Sequence, residues 1–116
     1  MVDTINNSLI ENLYNLDFEQ LLWQDFREGI KIFPLYSTST ASAALLQYNA
    51  GASVPLHEHE GYEHIFVLKG SQQDERGKYN TGDLLINKPF SRHSVQSMEG
   101  CVVLAIWEKP VRFVQE

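Results

Sequence analysis

Short apolar runs, each ended by a turn signal, fill the chain from residue 30 onward and set the main limit on its fold. The runs are four to eight residues long, the usual length of a β-strand. Turn pairs such as Thr81-Gly82 and Lys109-Pro110 separate them. Many short strands with frequent turns are typical of a sandwich or barrel, so the sequence predicts an all-β fold. The predicted strands are 30–36, 43–48, 62–69, 84–87, 94–98, 101–107 and 111–114.

The first eighteen residues have a different pattern. Ser8 and Glu11 form an S-x-x-E capping box, and leucines follow at helical spacing, which together predict a short helix over 8–16. A chain of 116 residues is long enough for one domain with a core of its own. We therefore expect an N-terminal segment, 1–20, followed by a β-barrel domain, 21–116.

Composition narrows the classes of partner. The net charge is −6, and the nine Lys and Arg residues are scattered singly, so no basic patch is expected to bind nucleic acid or an anionic membrane. The longest apolar run, 101–107, has seven residues and is too short to span a bilayer. The N-terminus lacks the pattern of a signal peptide, and a single cysteine cannot form an internal disulfide. These features together predict a cytoplasmic protein.

Two imidazoles and a carboxylate recur at positions of one parity. Successive side chains of an extended chain point to opposite faces, so His57, His59 and Glu63 would share a face if the segment is extended. His93 follows a predicted turn at Pro89 and supplies a third imidazole. Imidazole nitrogen and carboxylate oxygen together suit a borderline transition metal. The four residues are predicted to bind one divalent ion: Zn, Fe(II), Ni or Mn.

Each of these residues also has an ordinary structural explanation. A single histidine in a strand is usually packed or on the surface, and the stretch 57–60 alone has the composition of a solvated loop. His64 has the opposite parity to Glu63 and is expected to face away from the site. The common spacing and the distant His93 favour the metal site.

Other residues with chemical potential are expected to be structural. Cys101 begins an apolar strand and has no neighbouring cation or second cysteine, which favours a place in the core. The charged stretch 74–78 is predicted to be a solvated hairpin tip. Aromatic side chains on the predicted strands are expected to pack in the core: Trp23, Phe33, Tyr36, Tyr48, Phe66 and Trp107.

Two segments resemble the paired motifs of the cupin superfamily, small β-barrels that hold one metal ion with three histidines and a glutamate. Residues Gly51 to Gly70 read G-x5-H-x-H-x3-E-x6-G and match the first motif at every defined position. The second segment, 82–93, keeps the glycine-to-histidine spacing, but Ser91 stands where a glycine is usual and Ser97 replaces an asparagine. The resemblance implies a cupin (jelly-roll) barrel with the same four metal ligands.

More narrowly, residues 21–114 are similar to the cupin domain of ChrR-type anti-sigma factors. In that group the cupin follows a zinc-binding domain that holds the sigma factor and requires histidine and a cysteine pair. Residues 1–50 contain neither residue type, so direct sigma-factor binding is expected to be disfavoured. The similarity is carried by Trp23, Gly29-Ile30, the strand from Glu63 to Gly70, residues 79–83 and residues 97–101.

Three functions are compatible with such a site. A small dioxygenase acting on an oxygenated molecule is favoured, and a non-catalytic metal or ligand sensor related to ChrR-type regulators is the alternative. A purely structural metal is the third. No motif marks a general acid or base, so no catalytic residue is assigned. The expected partners are a small molecule and a second copy of the chain, since apolar N-terminal strands leave an edge to be covered.

Overall fold

The computed structural model of the protein describes residues 9–114, which fold into antiparallel strands that form two curled sheets. The predicted all-β fold is confirmed. The strands are β1 Gln24–Arg27, β2 Ile30–Ser37, β3 Ser42–Tyr48, β4 Ala52–Glu58, β5 Glu63–Asp74, β6 Gly77–Asn80, β7 Leu84–Asn87, β8 Arg92–Ser97, β9 Cys101–Trp107 and β10 Arg112–Phe113.

The long strand β5 belongs to both sheets and joins them into a half-barrel. Its first half pairs with β7 and β9, in the sheet that continues through β3 and β2 to β1. Its second half pairs with β6 and β8, in the sheet that continues through β4 to β10. Gly70 lies at the change of sheet with φ +73, and a side chain there would collide with the carbonyl oxygen of Gly100. Glycine is therefore required where β5 bends.

Two apolar clusters lie on opposite faces of the first sheet. Strands β3, β5 and β9 send alternate residues inward to the barrel core and outward to a second cluster. The N-terminal segment covers that outer cluster, which explains why β3 and β9 are apolar on both faces. The inner cluster consists of Ile30, Leu46, Tyr48, Ile65, Val67, Val95, Cys101, Val103 and Ala105, and the outer one of Phe18, Leu45, Leu68 and Val102.

The predicted helix over 8–16 is wrong in the part that the structure describes; Ser8 lies outside the described residues. Two single-turn 3-10 helices stand there instead, Leu13–Asn15 and Phe18–Gln20. Asn12 has a left-handed conformation, φ 51, which a continuous helix excludes. The leucines at helical spacing pack on the outer cluster as separate turns. Among the described residues no helix is long and apolar enough to cross a membrane.

Candidate metal centre

Strand pairing brings the four predicted ligands together. His57 on β4 is paired directly with His93 on β8, and their ring centroids are 4.6 Å apart. His59 follows the end of β4, and backbone hydrogen bonds hold it against the turn that precedes β8. Glu63 is the first residue of β5. All four side chains are buried, and their ligand atoms lie within 4.8 Å of one another.

The four side chains do not come together in the way that strand parity predicted. The segment from His57 to Glu63 is not one extended strand, because the chain turns at residues 60–62 between β4 and β5. Glu63 therefore approaches the histidines from the other sheet. His64 takes no part in the cluster.

The Nδ1 atom of each clustered histidine carries the proton. Each lies at hydrogen-bond distance from a carbonyl or carboxylate oxygen, and such oxygens accept in these contacts. The Nε2 atom of each ring is then the unprotonated nitrogen, the form that binds a metal. The acceptors are Pro55 O for His57 at 2.8 Å, Ser91 O for His59 at 3.0 Å and Asp74 Oδ2 for His93 at 2.9 Å.

The unpartnered nitrogens test whether a metal fits. Nε2 of His59 and of His93 are buried and have no hydrogen-bond partner among the described residues. They lie 2.9 Å and 3.9 Å from Oε1 of Glu63. Two ligand atoms about 2.1 Å from one ion are about 3 to 4 Å apart, so these distances suit a shared ion. A lone pair facing a buried carboxylate at 2.9 Å requires a cation or a proton between them, and the cluster therefore fits a metal ion.

Cross-strand neighbours fix the carboxylate of Glu63. Asn87 on β7 donates to Oε1 at 2.9 Å, and the indole of Trp107 on β9 donates to Oε2 at 2.7 Å; both residues are paired with Glu63 in the sheet. Burial acts to raise the pKa of Glu63. Hydrogen bonds and charges from His59, Asn87 and His93 outweigh burial and lower this pKa below its usual value. The contributions of His59 and His93 require a proton on Nε2, which then lies between that nitrogen and the carboxylate, in the place that a metal ion would take. Glu63 is thus held as a carboxylate.

Asp74 is part of the site, although the sequence placed it at a solvated hairpin tip. The hairpin turn is confirmed, but the Asp74 side chain is 1% exposed and accepts from His93. Its other oxygen accepts from the Tyr79 hydroxyl at 2.8 Å and the Arg76 backbone N–H at 2.9 Å. The prediction was wrong for Asp74 because strand parity carries β5 through Gln72 to Asp74 on the inner face. The alternation of side chains along the strand is the sequence signal that could have placed Asp74 on the inner face.

Ser91 gives His59 an acceptor that a glycine would lack. Its hydroxyl donates to Lys88 O at 2.6 Å and lies 3.0 Å from Nδ1 of His59. The left-handed backbone position of the turn is occupied by Phe90, with φ 72. The departure from the usual motif therefore adds a contact to a ligand histidine.

Burial governs the other titrations near the site. It lowers the pKa of His57, since the charged imidazolium is disfavoured away from water, and the nearby His93 and His59 act in the same direction. Burial also raises the pKa of the Cys101 thiol to about 11. Cys101 is therefore a core residue, as predicted, and has no thiolate character at neutral pH.

A cavity opens beside the cluster. The volume of this cavity is about 60 Å³. His57, Glu63 and His93 form one wall, and the other walls are largely apolar. At the rim the Arg27 guanidinium lies 4.6 Å from the ring centroid of Phe113 on β10. The remaining lining includes Leu46, Tyr48, Val54, Ile65, Gln72 and Val95.

Comparison with known proteins assigns the family. The sequence profile of the ChrR cupin-like domain matches residues 12–111. The chain belongs to the ChrR cupin-like family. It is 32% identical over 97 residues to the anti-sigma-E factor ChrR of Cereibacter sphaeroides, covering 82% of this chain and 46% of that protein. The chain thus spans about half the length of this curated relative.

Solved structures agree with the fold. ChrR in the crystal structure of Rhodobacter sphaeroides SigE in complex with the anti-sigma ChrR superposes with a TM-score of 0.69 at 30% identity, over 77% of this chain and 49% of that one. A putative acetylacetone dioxygenase from Methylibium petroleiphilum gives a TM-score of 0.79 over 99% of this chain and 86% of that one. Its identity is 18%, so this second likeness shows a shared cupin fold and no more.

The prediction that disfavoured sigma-factor binding is wrong. A relative of 32% identity is an anti-sigma factor, and a 30% identical protein was solved in complex with SigE. The prediction rested on the missing zinc-ligand residue types in 1–50. Protein interfaces form through apolar and charged contacts and do not require a zinc site, so that absence carries no weight.

Proposed function

We propose that this protein is a metal-dependent, ligand-sensing cupin of the ChrR type. One divalent ion would be held by Nε2 of His57, His59 and His93 and by the carboxylate of Glu63. The observation that carries the proposal is the pair of buried, unpartnered Nε2 nitrogens facing a buried carboxylate. A hydrated, exposed cluster would not leave such atoms without partners.

The ligand set also supports a position for a small molecule. Four protein ligands saturate a tetrahedral ion, whereas an octahedral ion such as Fe(II), Ni(II) or Mn(II) retains two positions for ligand atoms. The cavity borders His57, Glu63 and His93, so we place the ligand there. Three neutral imidazoles and one carboxylate leave a divalent ion with one positive charge within its ligand set, which favours an anionic oxygen; the Asp74 carboxylate behind His93 offsets part of that charge.

Sensing is favoured over proton-transfer chemistry by the residues beside the ion. Outside the ligand set, the described polar side chains that line the cavity are Arg27, Tyr48 and Gln72. Burial, with the charges of Cys101 and Glu63, raises the pKa of Tyr48 far above neutral pH, so its phenol keeps its proton. A guanidinium, a phenol and an amide bind and orient a ligand well but are poor general bases at neutral pH.

We propose further that the sensed state is reported to a sigma factor, as supported by the identity to ChrR. The test begins with the metal content of untagged protein. Each sigma factor of the host is then titrated with metal-loaded, chelator-treated and His59→Ala protein, and His64→Ala serves as the matched control. We expect one sigma factor to bind with an affinity that depends on the metal. Equal affinity for all four preparations would refute a sensory role for the site.

A dioxygenase is the second candidate, and the cavity is the observation that favours it. A bound metal can activate an oxygenated substrate and dioxygen on adjacent coordination positions. Here the cavity offers largely apolar walls next to the cluster. Oxygen uptake by the Fe(II)-loaded protein with pentane-2,4-dione and with catechol tests this function. No uptake above that of His59→Ala would refute it for these substrates.

The cytoplasm is the compartment that we propose. Its support is the single cysteine, which is free and buried. Fractionation of the host cells, with the protein detected by antibody, tests this assignment.

A further inference from the structure

Gln72 is a buried amide with no assigned partner on the wall of the cavity. It is 3% exposed, and no described group accepts a hydrogen bond from its Nε2. Among the described residues, His59, His93 and Gln72 each have a buried side-chain nitrogen without a hydrogen-bond partner. The Gln72 amide interacts with the nearby Cys101 sulfur and acts to lower the pKa of that thiol, but sulfur is a weak acceptor and the contact lacks the geometry of a hydrogen bond. A buried polar group without a partner is uncommon and calls for an explanation.

The position of Gln72 relates it to the metal ligands. It precedes Asp74 by two residues on the inner face of β5, and Asp74 contacts His93. Two residues of a strand span about 7 Å, so the Gln72 amide lies about one layer of side chains away from the metal-binding residues. The last torsion of a glutamine side chain is soft, and rotation about it directs either end of the amide into the cavity. Ile65 and Val95, which also line the cavity, offer no polar atom, whereas the phenol of Tyr48 in the same lining does.

We propose that Gln72 binds an oxygen of the sensed ligand, which is a small oxo acid with its anionic oxygen toward the metal and a carbonyl oxygen on the Gln72 amide. This inference rests on the proposed metal-bound ligand and adds its chemical class. The anionic end is favoured by the net positive charge of the loaded cluster and by the Arg27 guanidinium at the rim. The cavity is small, so the body between the two oxygens is short.

The test uses 4-oxopentanoate and pentanoate, which differ by one ketone oxygen. Calorimetry on Ni(II)-loaded protein of measured metal content should show at least about tenfold tighter binding of the oxo acid, the effect of one hydrogen bond to a buried amide. Gln72→Met should abolish this preference. Gln73→Met is the matched control, because Gln73 is the next residue on β5 and does not line the cavity, and it should keep the preference.

The outcomes separate this inference from the proposed function. Wild-type protein that takes up no metal would refute the proposed function itself. Loaded wild-type protein that binds both acids equally, or neither, would overturn the inference about Gln72, as would a preference that survives in Gln72→Met. Gln72→Glu is the second variant, since it keeps the shape and loses the donor. It should also lose the preference, and metal content and melting temperature would show that both variants are folded.

Discussion

Replacing Asp74 with asparagine tests how the second layer of residues controls the metal centre. Asp74 accepts four hydrogen bonds, from Nδ1 of His93 and the Arg76 guanidinium on one oxygen and from the Tyr79 hydroxyl and the Arg76 backbone N–H on the other. Asparagine has a single acceptor oxygen, so its NH₂ group must face at least one of these donors. Leaving a buried donor unpaired costs about 1–3 kcal/mol of folding free energy.

The effect on metal binding depends on which end of the new amide faces His93. If the NH₂ group faces it, His93 must accept at Nδ1 and carry its proton on Nε2, which removes that nitrogen as a ligand. If the oxygen faces it, a neutral acceptor replaces a carboxylate and the ring becomes a weaker ligand. Loss of such a supporting contact typically weakens metal affinity 10- to 100-fold. That range corresponds to about 1.4–2.7 kcal/mol.

Competition with a fluorescent zinc chelator at pH 7.5 measures this change. Tyr79→Phe is the matched control, because it removes one hydrogen bond to Asp74 and leaves the contact with His93 intact. We expect the control to lose some stability but to bind zinc within about threefold of wild type. An Asp74→Asn variant with wild-type zinc affinity would refute the argument. So would an equal loss in both variants, which would point to a general disturbance of the hairpin.

The same carboxylate should affect stability at low pH. Burial acts to raise the pKa of Asp74, but hydrogen bonds from His93, the Arg76 backbone and Tyr79 outweigh it and lower the pKa below 3.8. A carboxyl group with a depressed folded-state pKa stabilises the fold above its unfolded pKa, and this contribution is lost as the pH falls through the folded value. The stability difference between wild type and Asp74→Asn should therefore narrow below about pH 4.

Four further outcomes are expected. His59→Ala should remove most of the bound metal, and stoichiometric, equally tight metal in this variant would contradict the ligand assignment. The protein should be a homodimer, because the edge strand β1 leaves unpaired backbone groups; light scattering that gives 13.3 kDa at micromolar concentration would contradict this. Metal loading should fall cooperatively below about pH 6.5, since three imidazoles must be unprotonated to bind. The lowered pKa of buried His57 moves its part of this loss to lower pH, because its ring stays unprotonated there. For the fold itself, a histidine buried in its neutral form costs stability as the pH falls below its unfolded pKa. A chelator should lower the melting temperature at neutral pH, because an ion that binds only the folded state adds stability; an unchanged midpoint with the metal shown to be gone would eliminate a structural role.

Seven of the ten described strands could be predicted from sequence because each apolar run ends at a turn residue, whereas β1, β4 and β6 were not among the predicted runs. The predicted run 101–107 matches β9 in full, and the predicted run 30–36 lies within β2, which has a register shift between Pro34 and Tyr36. The end of β5 could not be read in the same way. Its second half, Ser71–Asp74, is polar in sequence, yet it is paired with β6 and β8 in the second sheet. Local hydrophobicity does not report the bend at Gly70 that makes this pairing.

The four clustered residues could be selected from their types and spacing, but their supporting contacts could not. Asn87 and Trp107 reach Glu63 because the sheet pairs all three side by side, and this register follows from the whole topology. Asp74 reaches His93 only because β5 curls between the sheets. A pattern search finds residues that are close in sequence or in a known motif. Contacts between strands distant along the chain require the fold first.

The separation between the metal cluster and the apolar core bears on what the metal does. The inner cluster of nine apolar residues contains none of the four clustered residues, and neither does the β3–β9 ladder that supports it. Among the described residues, the buried side-chain nitrogens and oxygens also have partners within the chain, apart from Nε2 of His59, Nε2 of His93 and the amide nitrogen of Gln72. A metal needed for folding is expected where the core is too small to stand alone, as in short zinc modules. In this barrel we expect apolar packing to stabilise the fold, and buried hydrogen bonds orient the ligand nitrogens before a metal ion binds. Metal loss should therefore lower stability without unfolding the protein, which leaves the ion free to serve as the ligand-binding element of a sensor.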